Sequence, residues 1–179
     1  MYHIQEDKRA QKSAGLILRA MQHCMREKPY EAITITDICQ ASTVSRATFY
    51  RLFDRKDDVI FWGLDLFFED FCAHIEGHSI CEKLEFYFAA WMKNPDMLDL
   101  IVIIHREDIA YENYRKRVGL LEQHFMNMPI SDHHIMILSA IMTSLLTGWA
   151  QSGKKETPAE LVDIFLRVIG DLNACFTTG

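Results

Sequence analysis

Proline and glycine are scarce in this chain of 179 residues, with four of the first and eight of the second. That is too little turn material for a fold of many short strands. Five cysteines (Cys24, Cys39, Cys72, Cys81 and Cys175) are odd in number, scattered and without a C-x-x-C pair. Their pattern argues against a disulfide framework or a zinc site, and they read as small buried apolar side chains. Long apolar runs are missing too. The longest, Ile135 to Ala150, is interrupted by Ser139, Thr143, Ser144 and Thr147 and falls short of the roughly 18–20 residues a spanning helix needs. Met1 to Arg9 is polar and charged, unlike a secretory leader, so a cytoplasmic protein is expected.

Chemical machinery is equally thin. No Ser-His-Asp or Cys-His arrangement marks a nucleophile. His105-Arg106-Glu107-Asp108 has a kinase-like flavour, but no glycine-rich loop or phosphate-binding lysine accompanies it. His133 and His134 are neighbours, so on a helix they point about 100° apart, a poor geometry for one metal ion. No cofactor, no metal and no catalytic role are expected.

What the chain does have is apolar bulk in helical order. At 49% hydrophobic and 25% charged it has the composition of a globular protein with a real core. Its net charge of −6 is unevenly spread. Residues 1–55 carry nine Lys and Arg against six Asp and Glu, whereas residues 56–179 carry ten against nineteen. A mildly basic head on an acidic body suits a reader of nucleic acid joined to a separate domain.

Apolar spacing and capping residues predict helices from about Lys8 to Arg26, Thr34 to Ala41, Ser45 to Phe53 and Lys56 to Cys72. Further helices are expected near 80–93, 95–106, 108–126, 131–151 and 157–176. Thr34-x-x-Asp37 has the form of a capping box, and Pro95, Pro129 and Pro158 sit near helix starts, where a missing amide hydrogen costs nothing. The prediction is an all-α chain. A three-helix head over residues 1–55 is followed by a helical body over residues 56–179.

Thr34 to Phe53 carries the function. Two short helices are separated by about three residues, with Ile38 and Val44 placed to fill the elbow between them. This is the plan of a helix-turn-helix, in which one helix braces against the DNA backbone and the next enters the major groove. Ser45 caps the second helix, and its free amide groups would face a phosphate. Beyond it Arg46, Ala47, Thr48, Tyr50 and Arg51 are exposed, while Phe49 and Phe53, four apart, turn inward.

These residues resemble the DNA-binding domain of the TetR (tetracycline repressor) family. The likeness runs through Thr34, Ile38, Cys39 in place of alanine, Val44-Ser45, Thr48-Phe49-Tyr50, Phe53, Lys56 and Val59, and covers about residues 8–60. It implies that Arg46 and Thr48 reach base edges or adjacent phosphates, with Arg46 suited to a bidentate grip on guanine. It further implies that Tyr50 and Lys56 hold phosphates and that Thr36 lies near the DNA backbone. Thr34, Ser45, Ala47 and Arg51 complete the expected DNA-facing set. One position departs from the family: Thr43 stands at the turn where glycine is usual, and a β-branched residue with positive φ would be strained.

In the body, Ile135 to Gly153 is apolar nearly all round, so it must be covered on all sides. Ser139, Thr143 and Thr147 recur every four residues, as do Ala140, Ser144 and Gly148, and such rows let another helix approach closely. The passage Trp149, Gly153-Lys154, Thr157-Pro158 also resembles the family, in which the last two long helices pair two subunits. The expected interface therefore comprises Ser139, Met142, Thr143, Leu146, Trp149, Phe165 and Ile169. One short reading helix recognises few bases, so two heads about one DNA turn apart, roughly 34–36 Å, are needed on a palindromic site.

The resemblance also implies a small-molecule ligand, which the density of aromatics and methionines between Phe67 and Leu121 would suit if it were apolar or aromatic. The lining expected is Phe71, Phe88, Trp91, Met92, His105, Tyr111 and Tyr114. The reading is a homodimeric repressor that binds double-stranded operator DNA and is released by ligand. Two alternatives stay open: a TetR-like activator or partner-dependent regulator without an inducer, and a helical enzyme or metal-binding protein that only looks like a regulator.

Overall fold

Asp7 starts the first helix by accepting a hydrogen bond from the Arg9 amide at 2.9 Å. Helix α1 (Lys8–Glu27) then turns Ala14, Ile17, Ala20, Met21, Cys24 and Met25 inward, the three-and-four spacing of one buried stripe. Pro29 follows its end, and a single 3-10 turn, Tyr30–Ala32, redirects the chain. The computed structural model describes residues 1–4, 7–98 and 131–177. Among these residues the elements are helices and the one 3-10 turn, with a lone bridge between Tyr2 and Phe53.

The capping box holds as expected. Thr34 accepts from the Asp37 amide while the Asp37 carboxylate accepts from the Thr34 amide, and α2 (Ile35–Ser42) begins there. The Lys28 ammonium, 2.6 Å from that carboxylate, together with Thr34 holds the Asp37 carboxyl well below the usual carboxylate range. Helix α2 ends in Thr43 at φ 58, ψ 22, the left-handed region. The Val44 amide bonds the Cys39 carbonyl and the Thr43 amide bonds Gln40, the paired closure normally built around glycine. The anticipated strain is thus present. Thr43→Gly is expected to stabilise the protein by roughly 0.5–1 kcal/mol, the left-handed penalty of about 1–2 kcal/mol less the extra chain entropy of glycine. A urea midpoint that stays put or falls would show that the threonine is tolerated without cost.

Helix α3 (Arg46–Leu52) is capped by Ser45, whose hydroxyl accepts from the Thr48 amide at 3.1 Å. Helix α4 (Lys56–Ala73) follows and is covered on most sides, burying Val59, Ile60, Trp62, Gly63, Leu64, Phe67, Phe68 and Phe71. It is shared between head and body. Trp62 meets Phe53 of the head edge-on at 6.1 Å, the Tyr2 hydroxyl bonds Asp65, and Phe67 stacks on Trp91 of the body at 4.2 Å. A Cβ at Gly63 would come within 2.8 Å of Met97 and 3.0 Å of Leu18, so glycine permits this close crossing.

In the body a Ser79–Glu82 capping box opens α5 (Ile80–Lys93). A helical turn starts at Pro95. In the last described stretch, α6 (Asp132–Gln151) is followed across a short connection by α7 (Pro158–Thr177), with Thr157 and Glu160 capping α7. The Trp149 indole donates to the Glu156 carbonyl at 3.0 Å and pins the connection, while α7 packs on α5. The helices anticipated near 95–106 and 108–126 extend over residues outside those described.

Burial divides the two small-residue rows of α6. Ser139 and Thr143 face inward with Met142, Leu146 and Trp149, whereas Ala140, Ser144 and Gly148 are exposed. Of the seven residues expected to pair two subunits, Ser139, Met142, Thr143, Leu146, Trp149 and Phe165 are buried within the single chain and Ile169 is half-buried. The expected interface took the Ser139 and Thr143 row, because an apolar helix offers no polar side from which to tell which row packs within the chain. The cysteines also differ in part from expectation: Cys24 and Cys39 are buried, Cys72 is half-buried and Cys81 is exposed.

Candidate nucleic-acid interface

Helix α3 presents two faces with different tasks. Inward, Phe49 and Leu52 are wholly enclosed, with the Phe49 ring 5.6 Å from Phe53. Outward, Ser45, Arg46, Ala47, Tyr50 and Arg51 are exposed and Thr48 is half-buried. The elbow is packed by Ile38 and Val44, both buried, and by Ser42, whose hydroxyl donates to the Cys39 carbonyl and accepts from the Val44 amide. The two helices are therefore locked at a fixed angle.

The outward face is ordered before any ligand arrives. The Arg46 guanidinium donates to the Thr36 hydroxyl at 2.6 Å and lies 5.8 Å from the centre of the Tyr50 ring. One donor of its fork is engaged and the others remain for a base edge or a phosphate. The Ser45 hydroxyl donates to Thr48 at 3.0 Å, which sets the rotamer of a second candidate base contact. Thr36, expected near the DNA backbone, accepts the hydrogen bond from Arg46. Thr34 is occupied by its capping box.

Lys56, expected at a phosphate, is engaged with the backbone of the α1–α2 connection. Its ammonium donates to the carbonyls of Tyr30 at 2.7 Å and Ile33 at 3.0 Å and lies 4.2 Å from the centre of the Tyr30 ring. The Tyr30 hydroxyl in turn bonds Asp57. Tyr30 and Asp57 were not foreseen as members of the site, since nothing local in the sequence ties a tyrosine after Pro29 to a helix 26 residues on.

Residues 17–61 match the model of the bacterial regulatory proteins of the TetR family. This head is a TetR-family DNA-binding domain. The match spans α2, α3 and the first turns of α4, and most of α1. The fold of the whole chain agrees with solved TetR-type regulators. It is similar to the crystal structure of a Listeria innocua protein, with a TM-score of 0.83 at 22% identity over 95% of this chain and 96% of that one. It is also similar to a TetR transcriptional regulator from Streptococcus agalactiae, with a TM-score of 0.61 at 19% identity over 92% and 97% of the two chains. A protein assigned to TetR-family transcriptional regulators from Syntrophomonas wolfei gives 0.62 at 23% over 90% and 95%. No curated protein matches the sequence significantly. Among the described residues the chain is thus helical apart from one 3-10 turn and one bridge, with the TetR-type head at its N-terminal end.

The residues expected to line a ligand site are only partly brought together. Phe71, Phe88 and Trp91 are buried in one aromatic cluster with Phe67 and Tyr87, while Met92 is exposed. His105, Tyr111 and Tyr114 lie outside the described residues. A cleft of about 500 Å³ opens where α1, α4 and the Pro95 turn meet, floored by Leu18, Gly63, Phe67 and Met97. No described helix is long and apolar enough to cross a membrane.

Proposed function

We propose that the chain is a homodimeric transcriptional repressor, without catalytic activity, that reads a palindromic operator through Arg46, Thr48 and Tyr50 and is released by a small molecule. The observation that carries this reading is the outward face of α3, where Arg46 is held by Thr36 and Tyr50 with most of its donors unspent. A guanidinium already held in place loses less freedom on gripping guanine than one free in solvent. Arg51 and the backbone around Ser45 would add contacts that set register rather than sequence.

Pairing is supported by the apolar side chains that the single chain leaves uncovered on its last two helices. Met136 and Ile137 on α6 and Ile164, Leu166 and Val168 on α7 are all exposed. Ala140, Ser144 and Gly148 run beside Ile137, and space around Gly148 is open to another helix. This outward row, rather than Ser139 and Thr143, is the surface that would meet a second copy.

Release by ligand is a shift between two populations, one with heads spaced for the operator and one without. A molecule lodged among α1, α4 and the Pro95 turn bears on head and body together. Couplings of about 1–3 kcal/mol would change operator occupancy roughly 5–150-fold. Selection of bound duplexes from random DNA tests the reading. Enrichment of a two-fold symmetric site, with half-sites about one helical turn apart, is expected. Failure to enrich any sequence would overturn specific operator binding, and a single unpaired half-site would overturn the dimer.

A further inference from the structure

The Lys56 ammonium carries three hydrogens and no acceptor. Two are spent on the Tyr30 and Ile33 carbonyls, and the Glu31 carbonyl stands 3.5 Å away, with the Tyr30 ring on another side. These carbonyls belong to the 3-10 turn and its end, which hand the chain directly to Thr34, the cap of α2. Lysine thus adds a second donor to the Tyr30 carbonyl, which already accepts from the Ile33 amide at 3.1 Å, and supplies a donor to the Ile33 carbonyl at the end of the turn. Asp57, the next residue, takes the hydroxyl of Tyr30. The first turn of α4 therefore grips the α1–α2 connection at both its backbone and its one large side chain, which is 4% exposed.

We propose that Lys56 is a positioning residue and not a phosphate ligand. It fixes α2, and through the packed elbow and the Thr36–Arg46 bond α3, to the start of α4. A phosphate could claim this ammonium only by taking it from two carbonyls at 2.7 and 3.0 Å, which would leave Tyr30 with the Ile33 amide alone and take the lysine donor from Ile33. The consequence is mechanical. Motion of α4 carries the reading helix with it as one body, because the joint between them is closed by a charge-assisted clamp rather than by loop contacts alone. For its DNA-based readout the inference rests on the DNA-binding reading above.

The test uses the full chain with Lys56→Met, which keeps an apolar stem, and Lys56→Arg, which keeps the charge. Affinity for a duplex recovered by selection is measured against salt, well below the unfolding temperature of each variant. Lys56→Met is expected to weaken binding roughly 10-fold with the salt slope unchanged, and Lys56→Arg to recover part of that loss. A slope reduced by about 0.9 per head would make Lys56 a phosphate contact and overturn the proposal. Unchanged affinity would also overturn it, leaving a role in stability alone. Amide hydrogen exchange of the free protein supplies a readout independent of DNA. Faster exchange in α2 and α3 than in α5 is expected for Lys56→Met, and equal acceleration throughout, or none, counts against the clamp even if no duplex binds the wild type.

Discussion

Replacing Phe49 with alanine is expected to destabilise the head by about 3–5 kcal/mol, the range for removing a buried aromatic ring. The ring is 0% exposed and lies 5.6 Å from Phe53, which in turn touches Trp62 of α4. Helix α3 has seven residues, too short to persist without tertiary packing. Phe49 and Leu52 are the two residues of this helix that are buried. Against a typical domain stability of about 5–15 kcal/mol, the loss is a large fraction of the whole. The urea midpoint should fall steeply and operator binding should disappear over the same denaturant range. Retention of the wild-type midpoint would mean that α3 is held from elsewhere.

Arg46→Ala is expected to weaken operator binding by about 1–3 kcal/mol and to relax preference at one base position in each half-site. The fold should be untouched, because the side chain is exposed and its hydrogen bond goes to the Thr36 hydroxyl at the surface. The discriminating measurement is affinity across a panel of operators with single substitutions. Loss confined to one position assigns Arg46 to a base edge. Uniform loss across the panel, with a smaller salt slope, assigns it to a phosphate and removes it from sequence readout. A double-mutant cycle with Thr36→Val separates the contribution of positioning. If Thr36 acts through Arg46, the two changes together should cost less than their sum.

Together these results would separate two kinds of residue that lie within one turn of each other on α3. Phe49 would then be the residue the helix needs to exist, and Arg46 the one it needs to discriminate. Arg46 and Phe49 are three apart, which in a helix of 3.6 residues per turn puts them near the same side, so spacing alone does not separate them. Arg46 nevertheless stands clear of the core because Phe49 is drawn in toward Phe53 and α3 packs against α1.

The head was legible because its signals are local. Thr34 with Asp37, and Ser45 with the Thr48 amide, are partners three residues apart, and the helices begin at those caps. The strain at Thr43 was equally local, a β-branched residue where the chain must turn left-handed. The family likeness over the same stretch agrees with the matched residues 17–61.

Tertiary structure alone decided what Lys56 does, which way Arg46 is held and which side of α6 is open. Lys56 finds backbone carbonyls 23 and 26 residues away, and Arg46 a hydroxyl 10 residues away on another helix. A carbonyl is present at every residue, so sequence carries no mark of which ones a lysine will meet. Helix α6 is apolar on both sides, and only packing within the chain turned Ser139 and Thr143 inward and left Ala140, Ser144 and Gly148 outside. The sequence determined the caps, the periodicity and hence the helix-turn-helix. Long-range packing determined which of its cations stay exposed on α3 and which are tied to backbone carbonyls, because those partners are set by the fold and not by spacing along the chain.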